Sequence, residues 1–249
     1  MPSPYDFYNY QNYWKGRSYE DNSERMALER FFAKIALRDL IVDIGGGFGR
    51  LCSSYSSLFK KCLVIDPSEK NIAEGIKLYK NFDNIVFKKG SLPAFELPGN
   101  FADAVLMIRV AHHLDDLKPS FMEINRIMKK DGSFIFEFAN KMHFVSKIKA
   151  LLSLNFKYFS DTMPIEKRSA SSIKQRKITF VNHHPRKIIF ELERSGFEII
   201  DMLSVSNFRS PIVKKIVPLR ILLGLEKIVQ KPLAKIYFGP SIFILARKK

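Results

Sequence analysis

Leu40-Ile41-Val42-Asp43-Ile44, followed by Gly45-Gly46-Gly47-Phe48-Gly49-Arg50, constrains this chain more than any other stretch. A short β-branched apolar run closing on an acid reads as a buried parallel strand, and the glycines read as a turn into a helix expected from Leu51 to Phe59. Strand, glycine-rich turn and helix together make a nucleotide-cofactor site, because the backbone turns sharply and a ligand can approach its N–H groups without a Cβ in the way. A dinucleotide fingerprint would read Gly-x-Gly-x-x-Gly, but here the third glycine falls at Gly49 and position 50 is Arg. Asp43 stands two residues before the first glycine, where a carboxylate repels an entering pyrophosphate and suits a cofactor carrying an ammonium group.

Strand and helix patterns alternate beyond the loop. Strands are expected at Lys61 to Asp66, Asn84 to Lys89, Phe101 to Ile108, Ser133 to Phe138, Glu198 to Ser204 and Ser241 to Ala246. Helices are expected from Ser18, with Glu24, Arg25, Glu29 and Arg30 facing water, then over Glu69 to Lys80, Asp116 to Lys130 and Pro185 to Ser195. Asp66 ends the second strand about twenty residues beyond the glycine loop, a distance at which an acid can accept hydrogen bonds from both hydroxyls of a ribose. The competing role, capping the next helix, falls better to Ser68. His112 and His113 follow the fourth strand, at the sheet edge where open α/β sheets bind ligands. A neutral imidazole there can take a proton from an attacking phenol, enol or amine, or can serve packing and loop geometry instead. Arg109, just past the same apolar strand, has Asp43, Glu137, an anionic substrate or solvent as alternative partners. Glu137, inside the fifth apolar strand, must be paired or face the site.

Four motifs in order carry a family resemblance: Asp43 to Gly49, Val64-Ile65-Asp66, Arg109 to Leu114, and Arg126 to Ser133. Over about residues 40 to 140 the chain resembles class I S-adenosylmethionine-dependent methyltransferases, with the small-molecule subgroup that includes quinone-biosynthesis enzymes as the nearest likeness. The resemblance implies an α/β, three-layer Rossmann-like fold whose seven-stranded sheet runs 3-2-1-4-5-7-6 with strand 7 antiparallel. It implies S-adenosylmethionine as cofactor and S-adenosylhomocysteine as product, with no metal. It assigns cofactor contacts to Asp43, Gly45, Gly46, Gly47, Asp66, Pro67 and Arg109. Ser91 stands where the family often carries an acid for the adenine amino group, so Ser91 and the Leu92 backbone are the expected adenine contacts. The stretch Tyr13-Trp14-Lys15-Gly16-Arg17 resembles the family's N-terminal lid, adding Tyr13 and Arg17 to the cofactor set. The alternative for these aromatics is a cap on the core.

One domain is expected over 1-249: an N-terminal lid and helix (1-39), a cofactor-binding core (40-140), a substrate-lid insertion (141-184), and a C-terminal half of the sheet with basic amphipathic helices (185-249). Ser169-Ala170-Ser171-Ser172 reads as a mobile connection, and Pro218 with Gly224 splits 212-238 into two short helices. Those helices carry apolar and basic faces, which can lie in a bilayer interface or pack on the sheet. The 41 Lys+Arg against 25 Asp+Glu give a net charge of +16, a field favouring RNA, anionic lipid headgroups or phosphorylated substrates, unless it reflects a generally basic proteome. Two cysteines fit a reduced compartment, no charged-then-apolar leader opens the sequence, and no apolar run reaches roughly 18 residues. The expected function is methyl transfer to a small-molecule acceptor, lipophilic or anionic, by a cytoplasmic or membrane-peripheral protein. The alternatives are an RNA methyltransferase and a non-catalytic S-adenosylmethionine-binding protein.

Overall fold

A computed structural model describes residues 6, 10–93, 95–114, 116–168 and 179–249. The β-branched runs form strands β1 (Leu40–Ile44), β2 (Lys61–Asp66), β3 (Ile85–Lys89), β4 (Ala102–Met107), β5 (Met128–Ala139), β8 (Phe197–Val205) and β9 (Ser241–Lys248), with β6 (Ile165–Glu166) and β7 (Val181–Asn182) making a separate two-residue ribbon. The large sheet runs β3-β2-β1-β4-β5-β9-β8; counting its own strands alone, this is the expected 3-2-1-4-5-7-6. The first five are parallel, and β9 lies antiparallel between β5 and β8. Strand order reverses between β1 and β4, so a crevice opens there at the carboxyl ends of the strands.

Helices α1 (Tyr10–Trp14), α2 (Ser18–Phe32), α3 (Glu69–Leu78), α4 (Lys118–Ile127), α5 (Phe144–Leu152), α6 (Lys157–Ser160), α7 (Pro185–Arg194), α8 (Pro211–Ile216) and α9 (Leu219–Ala234) cover or flank the sheet. Strand alternation sorts the core into two layers. Ile41, Val64, Leu106, Ile135 and Phe243 pack with Leu28 and Phe31 of α2. Val42, Ile65, Val105, Phe134 and Phe136 pack with Phe121 of α4 and Ile188 and Leu192 of α7. Phe121 meets Phe136 edge-on at 5.1 Å. Ser68 caps α3 by accepting the Asn71 N–H, and Gly196, at φ +87°, follows the end of α7.

Four local expectations are corrected. Leu51 to Phe59 is not a helix: only a 3₁₀ turn at Cys52–Ser54 forms. Ser53, Ser54, Ser56 and Ser57 are poor helix formers, and Tyr55 turns inward so that its hydroxyl donates to Asp43 Oδ2 at 2.8 Å. The helix expected to reach Lys130 stops at Ile127, because Met128 pairs with Ala102 and already belongs to β5; Asp131, at φ +60°, kinks that strand rather than preceding it. Pro218 separates α8 from α9, but Gly224 lies within α9, whose inner side Leu222, Glu226, Gln230 and Ala234 keep buried. Glu24 is buried rather than water-facing. The expected mobile connection at Ser169 to Ser172 lies outside the described residues.

In the lid insertion, Lys141 is buried despite its charge: its ammonium donates to the Met163 carbonyl at 2.9 Å and pairs with Asp161 at 3.2 Å, tying the segment after α6 to the end of β5.

Candidate cofactor site

A cavity of about 310 Å³ opens at the carboxyl ends of β1, β2 and β4, within the size range of small-molecule sites. Tyr13, Asp43, Gly45, Gly46, Gly47, Asp66, Pro67, Arg109, His112 and His113 all line it. Ser91 and Leu92 do not: Ser91 is exposed and Leu92 packs against the core layer of α4. Arg17 also stays out of the lining, its guanidinium 4.1 Å from the centre of the Tyr13 ring.

The glycine loop is built for close approach. Gly45 and Gly47 have φ of +69° and +60°, a region that side-chain-bearing residues rarely adopt. A Cβ on Gly45 would lie 2.2 Å from Val110 Cγ2, and one on Gly46 2.7 Å from Asp43 Oδ2. A Cβ on Gly47, by contrast, would meet nothing nearer than 3.8 Å, so on that side this residue leaves open space beside the cavity. Gly45→Ala is expected to lower stability by about 2 kcal/mol through overpacking and a strained φ. Trimming Val110 in Gly45→Ala/Val110→Ala should restore part of that loss in a thermal melt, since it removes the clash but leaves the strain.

Two acids flank the loop at different depths. Asp43 is buried, and burial pushes its carboxyl up to about 7; the hydrogen bond from Tyr55 and the charge of Arg50 act against this without overcoming it. Asp66 is also buried and shifted upward by burial. Its Oδ2 accepts the Gly47 N–H at 3.0 Å, and its Oδ1 accepts the Ser68 N–H at 2.9 Å and the Asn71 side chain at 3.2 Å. Two carboxylate oxygens offer about four lone-pair directions, and with three taken there is capacity for about one hydroxyl donor in the cavity.

The buried acid that organises the lid is Glu24 of α2. Its Oε2 accepts from Arg50 at 2.6 Å and its Oε1 accepts from Arg109 Nε at 2.7 Å. Arg50 also pairs with Asp21. Both guanidinium groups lie over the Trp14 ring, 3.7 Å from its centre for Arg50 and 4.8 Å for Arg109. Of the two acids considered for the Arg109 side chain, the structure selects neither: the guanidinium pairs with Glu24, while the Arg109 backbone N–H donates to Glu137 Oε2 at 2.8 Å. Glu137 further accepts from Ser241 at 2.6 Å, so this buried strand acid is paired.

His112 and His113 form a short 3₁₀ turn with Ala111, held from outside by His183 Nε2 at 2.9 Å from the Ala111 carbonyl. His184 instead caps α7, accepting the Arg186 N–H. Burial lowers the pKa of both His112 and His113, so both rings are neutral near pH 7. His113 Nδ1 lies 2.8 Å from the Thr179 carbonyl; the N–H therefore sits on Nδ1 and the ring's basic lone pair on Nε2. Phe180 covers His112 at 4.6 Å.

Trp14, Arg50, Asn71, Val110 and Phe180 also line the cavity and were not assigned to the site from the sequence. Trp14 and Arg50 lay inside quoted motifs, whereas Phe180 arrives from more than sixty residues beyond His112 and no local signal marks it. Among the described residues, no group of three or more His, Cys, Asp or Glu is gathered to hold a metal ion.

The fit to a nucleoside-bearing cation rests on three features: the open space at Gly47, a buried carboxyl at Asp43 in the same lining, and hydroxyl-accepting capacity at Asp66. Comparison with known proteins agrees with that chemistry. Residues 42–136, which run from β1 through β5, match the family profile described as a methyltransferase domain. The uncharacterized methyltransferase YcgJ of Bacillus subtilis (strain 168) is 26% identical over 97 residues, a segment spanning 38% of this chain and 38% of that protein. The chain thus covers well under half the length of that relative. Two solved structures share the fold: an S-adenosylmethionine-dependent methyltransferase from Mesorhizobium loti (TM-score 0.61, 17% identity, 91% of this chain and 98% of that one), and a possible histamine N-methyltransferase from Thermotoga maritima (TM-score 0.63, 16% identity, 96% and 95%). Residues 42–136, the segment that supplies both acids and the glycine loop, are thus similar to a methyltransferase domain, and the chain shares the fold of S-adenosylmethionine-dependent methyltransferases.

Proposed function

We propose that this protein binds S-adenosylmethionine in the cavity over the glycine loop and transfers its methyl group to a small-molecule acceptor, lipophilic or anionic, entering past the lid and the insertion after β5. The observation that carries this reading is that Asp43, Asp66 and the glycine loop line one cavity, with open space at Gly47 where a side chain would stand. When bound, the cofactor supplies a methyl group already activated by its sulfonium.

The chain's own tasks are then to hold, orient and exclude water. Asp66 accepts a ribose hydroxyl, and Asp43, once ionised, faces the ammonium. Trp14, in contact with Arg50 and Arg109, closes the cofactor side, and Phe180 closes the histidine side. His112 and His113, neutral and with ring centres 4.0 Å apart beside the cavity, are the groups we assign to accept the acceptor's proton as the new bond forms. The guanidinium of Arg109 beside the histidine turn suits an acceptor with an anionic group.

Asp43 gives the reading a pH signature. A carboxyl held near 7 is largely protonated at pH 6 and largely ionised at pH 8, and a cation beside it favours the ionised form. Cofactor binding should therefore release a proton below the midpoint, and affinity should rise by roughly tenfold per pH unit there and level off above it. Calorimetric titration with S-adenosylmethionine and S-adenosylhomocysteine between pH 6 and 8, in buffers of different ionisation enthalpy, measures both effects. Affinity flat across this range would remove Asp43 from contact with the ammonium, and no heat with either ligand would overturn the cofactor assignment. Turnover restricted to RNA, with binding that falls steeply with salt, would replace the small-molecule acceptor.

A further inference from the structure

The helices that close the C-terminal part of the fold are built the wrong way round for water. On α9 the side turned toward α2 and β8 is Leu222, Glu226, Gln230 and Ala234, two of them polar. These are satisfied internally: Glu226 accepts the Tyr19 hydroxyl at 2.6 Å and the Ser206 N–H at 2.8 Å, and Gln230 donates to the Ser23 carbonyl at 2.9 Å. The opposite side of the same helix carries Ile221, Leu225, Ile228 and Pro232, which fall within about one sixth of a turn of each other at 100° per residue. Ile228 is 72% exposed and Ile221 54%. A surface helix ordinarily places its apolar stripe inward; here the outward stripe is the apolar one.

Neighbouring elements also expose apolar side chains. On α8, Ile212 and Ile216 stand one turn apart and are 70% and 73% exposed. On α5, Val145, Ile148 and Leu152 share an exposed face. The α5 and α9 regions are joined by the stacked rings of Phe144 and Phe238, 4.8 Å apart, and by the Lys147 ammonium, 2.7 Å from the Ile236 carbonyl.

The charge around this surface has one sign. From Ser206 to Lys249 the sequence contains a single acid, Glu226, and that acid is buried. Lys215, Arg220, Lys227 and Lys235 are exposed along α8 and α9. Contact with a second copy through a two-fold axis would bring these cations against one another, a like-charge juxtaposition that an isologous interface has to overcome. A polyanion such as RNA would meet the lysines but leave the isoleucines without a partner. An anionic bilayer satisfies both, taking apolar side chains at the boundary of headgroups and acyl chains while lipid phosphates face the cations.

We propose that the face formed by α8, α9 and α5 docks this protein on an anionic phospholipid bilayer, lying in the interface without crossing it. No described helix is long and apolar enough to span a membrane, which fits an interfacial contact. The docking face is distinct from the cofactor cavity and does not depend on the reaction proposed above.

The test is co-sedimentation of the full chain with vesicles of phosphatidylcholine alone and of phosphatidylcholine mixed with phosphatidylglycerol. Binding is expected to the mixed vesicles and to weaken as salt is raised, because the cation contribution is screened. Ile221→Glu/Ile228→Glu should weaken that binding by about tenfold or more, since it sets charge in the middle of the stripe. Lys227→Gln/Lys235→Gln should weaken it by several-fold. All four positions are solvent-exposed, so both variants should keep the wild-type melting temperature and S-adenosylmethionine titration. Absence of wild-type binding to the mixed vesicles, or equal binding by wild type and Ile221→Glu/Ile228→Glu, would overturn the proposal. So would light scattering that shows a wild-type dimer turned monomeric by the glutamates, which would give the face to a second copy of the chain.

Discussion

Glu24→Ala is expected to lower stability by about 3–5 kcal/mol, because it strips one acid from between two arginines that fold against it. Glu24 is 1% exposed and meets both Arg50 and Arg109, so alanine would leave two guanidinium groups partly desolvated at the Trp14 ring without the acid that pairs them. For a chain of this length the corresponding fall in melting temperature is roughly 6–20 °C. Glu24→Gln, which keeps the volume and one acceptor, should lose less. The same network seats the lid, so in both variants Trp14 fluorescence should shift toward that of a solvated indole at temperatures where far-ultraviolet circular dichroism still reports a folded protein. Wild-type melting in Glu24→Ala would mean that solvent already shares the pairing and that the lid is held by other contacts.

Asp66→Ala should weaken S-adenosylmethionine binding by about 1–3 kcal/mol, or roughly 5- to 150-fold, the scale for leaving hydrogen-bonding groups of a buried ligand unpaired. The side chain has a second duty that predicts a further loss. It accepts the Gly47 N–H and the Asn71 amide, so its removal also loosens the glycine loop that lines the cavity. Asp66→Asn separates the two effects: an amide oxygen still accepts, but the hydroxyl loses a charged acceptor, so its affinity should fall between those of wild type and alanine. Titration of all three proteins with S-adenosylhomocysteine, which lacks the sulfonium, should give the same ranking. Equal affinity of Asp66→Ala and wild type would take the ribose contact away from this residue.

The strand order was legible in the sequence because parallel strands buried on both faces are continuous apolar runs, and β1, β2, β4 and β5 are of that kind. Asp43, Asp66, Arg109 and the histidines could be placed at one sheet edge for the same reason, since each stands at or just beyond the carboxyl end of a recognisable strand. Helix limits were less legible. Leu51 to Phe59 carried enough apolar residues to read as a helix, yet Tyr55 is drawn inward to Asp43 and only a 3₁₀ turn survives. Met128 to Lys130 continued a helical pattern until pairing with Ala102 claimed them for β5.

Charge partners were not legible, because a side chain's neighbours across the fold leave no mark in its own local pattern. Glu24 read as a water-facing acid on α2 and is the buried centre of an arginine pair; Glu226 sat unremarked among lysines and accepts the hydroxyl of a tyrosine 207 residues away. By itself the sequence determined the sheet, the glycine loop and the acids beside it, which local periodicity and steric demand fix within a few residues. Only the tertiary structure decided that Trp14 meets two arginines, that Phe180 covers His112, and that α9 turns its apolar stripe outward. Each of these depends on which distant surfaces meet, and that is set by the packing of the whole chain rather than by any stretch of it.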